Sequence, residues 1–176
     1  KVIEIPHAGV NAARNAGMKL SQGKWLFFVD ADDAICAEGL ALAVSELRDA
    51  SDVVVYCTNY NEVFGAYSKH TMNYRDDEHF SGAECCSRLM QCTHNMGLVW
   101  AKLFSRVFLI DNHLYFDESL AFGEDCEFIL RLAFKAEQNN TTFIGSSVFS
   151  YQYYRNADSS TKRFSEDYMN RYIRAF

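Results

Sequence analysis

An unbroken apolar run, Trp25-Leu26-Phe27-Phe28-Val29, empties into three carboxylates, Asp30, Asp32 and Asp33. Apolar residues in an uninterrupted row suit a central strand covered on both faces, and open α/β sheets take their ligands outside the carboxyl ends of such strands. The aspartates are therefore expected at a ligand-binding edge. Carboxylates crowded there repel one another unless protons or a cation relieve them, and oxygen-only ligands favour Mg²⁺ or Mn²⁺. A divalent cation gripping a phosphate is the leading expectation. The plain alternative is an Asp-rich solvated turn that only stops the strand.

The chain has 176 residues, of which 49% are apolar, which predicts one domain with a real core. Fourteen Phe and ten Tyr against a single Pro predict a dense aromatic interior. A net charge of -6 leaves no basic footprint for nucleic acid. The six cysteines show no C-x-x-C spacing and mostly lie in apolar stretches, so they read as reduced thiols packed as small hydrophobes. No signal peptide or bilayer-length apolar run is apparent, and a cytoplasmic location is expected.

In chain order, residues 1–5 predict a strand that Pro6 ends, followed by a helix from Val10 to Gln22 that Gly23 stops. With the Lys24–Val29 strand this makes a βαβ unit with parallel strands. The helix N-terminus near Gly9 would aim its amides at the acidic edge, and Arg14, one turn in, would reach the same anion or else stand exposed. Ala37 to Ala50 predicts a helix with Leu40, Ala43, Val44 and Leu47 on its buried face. Asp52 to Thr58 is a buried strand, and Glu62 to Met72 one or two edge strands. Ser81-Gly82-Ala83-Glu84 reads as a capping box whose helix turns Cys85, Leu89 and Met90 inward. Lys102 interrupts the apolar stretch from Leu98 to Phe104, either snorkelling or buried in a cleft. Thr141–Ile144 and Ser147–Tyr154 predict two strands, and Ser165–Phe176 a last helix behind a polar loop at Asn156–Thr161.

Asp125 stands apart. On a helix it shares a face with Phe128, Ile129, Leu132, Ala133 and Ala136, so a carboxylate heads an apolar stripe. Its neighbour Glu124 fits ordinary first-turn charge stabilisation, whereas Asp125 is aimed into the fold, where a partner or a reaction is needed to justify it. Asp125 is the candidate base. Burial should raise its pKa, while the helix N-terminus and a nearby metal should lower it, and the lowering effects are expected to prevail.

The ordered series Gly9-Val10-Asn11-Ala12-Ala13-Arg14-Asn15-Ala16-Gly17, Phe28-Val29-Asp30-Ala31-Asp32-Asp33, Trp100-Ala101-Lys102-Leu103-Phe104, Phe116-Asp117-Glu118, Gly123-Glu124-Asp125 and Tyr153-Tyr154-Arg155 resembles the family 2 glycosyltransferases of GT-A fold. The resemblance covers almost the whole chain. It implies an α/β sandwich of GT-A type, N-terminally incomplete, in which a sugar passes with inversion from a nucleotide-sugar donor to a hydroxyl of a glycan or lipid-linked acceptor. Mn²⁺ or Mg²⁺ would assist. Asp32 would touch the metal; Asp30, Arg14, His7 and Asn11 would lie along the donor; Asp125 would be the base. Trp100, Lys102, Glu124, Tyr154 and Arg155 would border the site. The resemblance also implies bacterial surface polysaccharide or glycolipid synthesis at the inner face of the membrane, with peripheral membrane association of the full-length protein.

The chain departs from that family's pattern in having His7 and Ala101 where Asn is usual, and in lacking the βα units that hold the nucleotide base. Sheet edge left open in this way is expected to draw a second copy of the chain. Two rival readings follow: an inactive fragment of such an enzyme, and a metal-dependent phosphohydrolase with Asp30 as nucleophile. The latter resembles the haloacid-dehalogenase pattern, but Ala34 stands where Thr or Val is usual.

Overall fold

The structure, a computed structural model, describes residues 2–48 and 52–155. Its spine is a pair of long parallel strands, β3 (Val53–Phe64) and β7 (Thr142–Tyr154). Around them lie α1 (Gly9–Leu20), β1 (Trp25–Phe27), β2 (Ala34–Ile35), α2 (Ala37–Glu46), β4 (Tyr67–Thr71), β5 (Glu78–Phe80), α3 (Gly82–Met90), β6 (Lys102–Ser105), α4 (Arg106–Asp111) and α5 (Glu124–Gln138). The sheet runs β1-β6-β3-β7-β2, with β4 added to β3 and β5 to β7. Because β1 pairs antiparallel with β6, and β6 antiparallel with β3, the carboxyl ends of β1, β3 and β7 point the same way. The acidic turn leaves from that edge.

Helices cover both faces. One face of the sheet buries Val55, Phe104 and Phe143 against Met18 of α1, Cys85 of α3 and Phe128, Ile129, Leu132 and Ala136 of α5. The other buries Val53, Tyr56 and Leu103 against Ala43 and Leu47 of α2. Strands with apolar residues on both faces are what this sandwich requires, and Val53-Val54-Val55-Tyr56 meets it.

Several elements differ from the sequence expectation for physical reasons. Residues 2–8 form no strand, and Val2, Ile3 and Ile5 are exposed, because an extended segment becomes a strand only by pairing and none of the described strands pairs with it. The expected βαβ unit is therefore not formed, and β1 lies at a sheet edge rather than in the centre. Helix α1 ends at Ser21, not at Gly23: the Ser21 amide donates to the Gly17 carbonyl and its hydroxyl to that of Met18. The strand at Asp52 does not stop at Thr58 but runs to Phe64 and turns back through Gly65 into β4. The two expected strands after Thr141 are one, β7. Val44 and Met90, expected inward, are exposed. Ser81 caps α3 by accepting the Glu84 amide at 3.2 Å, but the Glu84 carboxylate turns to Arg88 instead of closing the box. The polar loop at Asn156–Thr161 and the helix expected over Ser165–Phe176 lie outside the described residues.

Backbone approach sets the spacing of α3 on α5. A Cβ on Gly82 would stand 2.1 Å from the Ala133 carbonyl oxygen and 2.7 Å from the Glu137 nitrogen, both backbone atoms. By contrast, a Cβ on Gly17, inside α1, meets nothing within 4 Å. Gly82→Ala should thus cost roughly 1–3 kcal/mol in denaturant unfolding through overpacking. Gly17→Ala should gain about 0.5–1 kcal/mol by relieving helix entropy. Equal effects of the two substitutions would refute this account of the helix spacing.

Candidate active site

Helix α1 presents Asn11, Arg14, Asn15 and Met18 on one side, at the spacing that places residues in a row along a helix. The two asparagines stitch it to the segment that leads into α5. Asn11 Nδ2 donates to the carbonyls of Asp117 and Leu120, at 2.8 and 2.9 Å. Asn15 Nδ2 donates to the Phe116 carbonyl and to Glu118 Oε1, both at 2.9 Å, and its Oδ1 accepts the Phe116 amide at 2.9 Å. Both residues are buried.

Between them Arg14 reaches three carboxylates. Its Nη1 lies 2.6 Å from Asp125 Oδ1 and 3.7 Å from Glu124, and its Nη2 lies 3.2 Å from Asp30 Oδ1. Its guanidinium also rests over the Phe116 ring, 5.2 Å from the centroid. The Arg14 side chain is 11% exposed and that of Asp125 16%. The second oxygen of Asp125 accepts the Val99 amide at 3.3 Å. Burial pushes Asp125 from an ordinary 3.8 up to about 6, against the lowering effect of Arg14 and with help from the neighbouring charges of Glu124 and Asp30. Among the chain's own groups, desolvation outweighs the lowering by the Arg14 charge and the Val99 amide.

At the mouth of β1 the chain makes a turn in which the Asp33 amide donates to the Asp30 carbonyl at 3.1 Å. Tyr151, fully buried on β7, holds both ends: its hydroxyl accepts the Asp30 amide at 3.1 Å and donates to Asp33 Oδ2 at 2.7 Å. Asp33 Oδ1 accepts the Tyr154 amide at 2.9 Å. Burial raises the Asp33 pKa against these bonds. Asp32, between them, is exposed. A cavity of about 510 Å³ runs between α1 and β1, bordered at one end by Arg14, Asp30 and Ala31 and along its length by Val10, Leu26 and Phe28.

The remaining expected site residues are distributed as follows. Glu124 joins the Arg14 cluster. His7 is exposed ahead of α1. Trp100 is buried between the rings of Tyr151 and Tyr153, stacked at centroid distances of 5.0 and 5.4 Å, so it supports the acidic turn from behind. Tyr154 reaches the turn through its backbone amide. Arg155 pairs with Glu62, 3.0 Å away, at the carboxyl end of β3. Two assignments change. Asn11, expected along the donor, uses its Nδ2 to tie α1 to the 117–120 backbone, while its buried Oδ1 has no hydrogen-bond partner among the described residues. Lys102, expected at the border, is buried, with its ammonium donating to the carbonyls of Asn95 and Leu98 at 3.0 and 2.8 Å; burial lowers its pKa. It fastens the loop whose Val99 amide meets Asp125. The sequence reading missed Tyr151, Asn15 and the bonding of Asp33; only the polar tip on an otherwise apolar strand could have marked Tyr151.

Among the described residues, no three or more His, Cys, Asp or Glu side chains form a ready-made metal cage. The donor set still suits Mg²⁺ or Mn²⁺, because such ions are commonly held by one or two carboxylates with substrate phosphates completing the shell, and Asp32 is the exposed carboxylate of the turn.

Comparison with known proteins agrees with this layout. Residues 1–108 match the model of glycosyl transferase family 2, and the chain belongs to that family. It is 26% identical over 78% of its length to the uncharacterized glycosyltransferase EpsJ of Bacillus subtilis, and 31% identical over 66% to the succinoglycan biosynthesis protein ExoO of Rhizobium meliloti. It spans 41% and 35% of those proteins. In fold it is similar to S. aureus TarS 1–349: the UDP complex gives a TM-score of 0.65 at 21% identity, covering 88% of this chain and 42% of that one. The UDP-GlcNAc complex gives 0.67 at 22%, covering 96% and 46%. The expected GT-A type of fold is thereby established.

The raised pKa of Asp125 has a consequence for stability. Between about pH 6 and 4 the folded form holds the Asp125 proton while the unfolded chain releases it, so acidification stabilises the parent relative to Asp125→Asn. The difference in unfolding free energy between parent and variant should move by on the order of 2 kcal/mol as pH falls through that window. Parallel stability profiles for the two proteins would show that Asp125 is not buried as described.

Proposed function

We propose that this chain forms the reaction core of an inverting glycosyltransferase that moves a sugar from a nucleotide-sugar donor to a hydroxyl of a glycan or lipid-linked acceptor, in bacterial surface polysaccharide or glycolipid synthesis. Family membership and the polysaccharide role named for ExoO support the reaction class. The nucleotide complexes of TarS support a nucleotide-sugar donor. The observation that carries the reading is the linked set Asp125, Arg14 and Asp30 at the carboxyl end of β1.

Asp125 acts as general base. As the acceptor oxygen bonds to the anomeric carbon from one side, its proton passes to the Asp125 carboxylate, while the bond from that carbon to the diphosphate oxygen breaks and its electron pair leaves with the nucleoside diphosphate. A carboxylate raised to about 6 stays mostly ionised at neutral pH yet holds a proton better than an ordinary Asp, which suits a base at working pH. Arg14 keeps that carboxylate in place and balances Asp30. Asp30 meets the donor ribose or sugar, with His7 on the approach. Asp32 would hold the Mn²⁺ or Mg²⁺, whose charge offsets that of the departing diphosphate. The same reading puts the enzyme on the cytoplasmic side of the membrane, with peripheral membrane association of the full-length protein.

Asp125→Asn keeps shape and hydrogen bonding but takes no proton. Turnover should fall by roughly 10²- to 10⁴-fold with donor affinity unchanged, the usual worth of a general base. Glu124→Gln should cost under about 1 kcal/mol of stability. Unchanged turnover per folded molecule in Asp125→Asn would remove the base from this mechanism. For the metal, Asp32→Asn should abolish the Mn²⁺-dependent part of nucleoside diphosphate binding in calorimetry, and equal affinity in parent and variant would reject the assignment.

A further inference from the structure

The third carboxylate of the acidic turn has no role in the transfer as proposed, yet both of its oxygens are engaged. Both Asp33 oxygens accept hydrogen bonds, from the Tyr151 hydroxyl at 2.7 Å and the Tyr154 amide at 2.9 Å. The same hydroxyl accepts the Asp30 amide, so one phenol oxygen holds the first and last residues of the turn together. Tyr151 is itself fixed: it is fully buried, stacks on Trp100 with ring planes 12° apart, and lies beside Phe27 of β1 at 6.2 Å. Immediately after the turn, β2 pairs with the same strand, Ile35 opposite Tyr151.

We infer that Tyr151 and Asp33 are positioning residues for the donor site: together they clamp the Asp30–Asp33 turn to β7 and so set where Asp30 and Asp32 point. This rests on the reading that those two aspartates serve the donor. The physical ground is that an acidic turn tends to open by self-repulsion, and a phenol that donates to one carboxylate while accepting an amide at the opposite end resists that opening without adding charge. Both oxygens of Asp33 are consumed in this work, while Asp30 turns to Arg14 and Asp32 stands exposed.

The test uses Tyr151→Phe, which keeps the ring stack and deletes only the hydroxyl, with Asp33→Asn and the double variant. Amide hydrogen exchange at residues 30–33 should quicken about tenfold or more in each single variant, and no further in the double, while exchange in β3 and the first half of β7 is unchanged. Equal protection of the turn in Tyr151→Phe and parent would overturn the clamp. So would additive losses, since two halves of one clamp must be non-additive. A second arm measures calorimetric binding of uridine diphosphate with Mn²⁺, using Asp32→Asn as reference. Tyr151→Phe should weaken binding about tenfold while its melting temperature stays within a few degrees of the parent. If Asp32→Asn weakens binding but Tyr151→Phe does not, the positioning role fails and the donor site survives. If neither does, or the parent does not bind, the donor reading fails, and with it the role assigned to the clamp.

Discussion

The guanidinium of Arg14 is the group on which the site depends, since it is the cation closest to Asp125, Glu124 and Asp30 at once. Two carboxylates from different elements, the partly exposed Asp30 after β1 and the largely buried Asp125 opening α5, meet with a positive charge between them. Taking such charges out of water is expensive, and removing one partner leaves the others uncompensated. The planar fork of Arg sends separate N–H groups toward Asp125 and Asp30, a geometry that a lysine ammonium does not reproduce. Arg14 faces three carboxylates, Asp125, Glu124 and Asp30, so this group of side chains carries more acid than base.

Arg14 can hold this position because α1 is fixed on both sides of it. Asn11 and Asn15 lie on the same helix face, one turn apart, and bond mainly to backbone atoms of residues 116–120. Amide side chains match carbonyl and amide partners without adding charge to a crowded acidic region. Asp125 is framed in the same way from the other side. Lys102 donates to two carbonyls of the loop after α3, and that loop brings the Val99 amide to Asp125. Much of the apparent chemistry in the sequence motifs is therefore scaffolding at the level of the backbone.

This explains what the sequence made legible. Apolar runs and helical stripes report burial directly, so the acidic turn after β1, the α5 stripe behind Asp125 and the two-sided burial of Val53–Tyr56 could be read from residue types alone. Side-chain ties across the fold leave no such periodic mark. Nothing local distinguishes an asparagine that bonds a loop 106 residues away from one that meets a ligand, so the tie made by Asn11 is invisible in the sequence. The fate of Lys102 was equally hidden, because its partners are carbonyls of a loop that carries left-handed residues at Cys92, His94, Asn95 and Ala101. Strand pairing, too, is a property of neighbours: residues 2–8 have strand-like composition, but no described strand lies beside them to supply hydrogen bonds.

Ala101 shows how a departure from a family pattern acquires a physical meaning once the backbone is known. Its φ is +53°, a region that Asn enters more readily than Ala because its side chain can bond locally. The residue usual in the family at this place is thus suited to the turn itself, and its absence need not remove a substrate contact. What keeps Ala101 in the strained conformation here is its carbonyl, which accepts both the amide and the hydroxyl of Thr58 at 2.9 and 2.8 Å. Thr58 in turn shares a hydrogen bond with Ser150, next to Tyr151 in β7. The strained turn before β6 and the tyrosine behind the acidic turn therefore rest on one buried polar chain across β3, so the geometry near Trp100 and the geometry near Asp30 cannot relax independently.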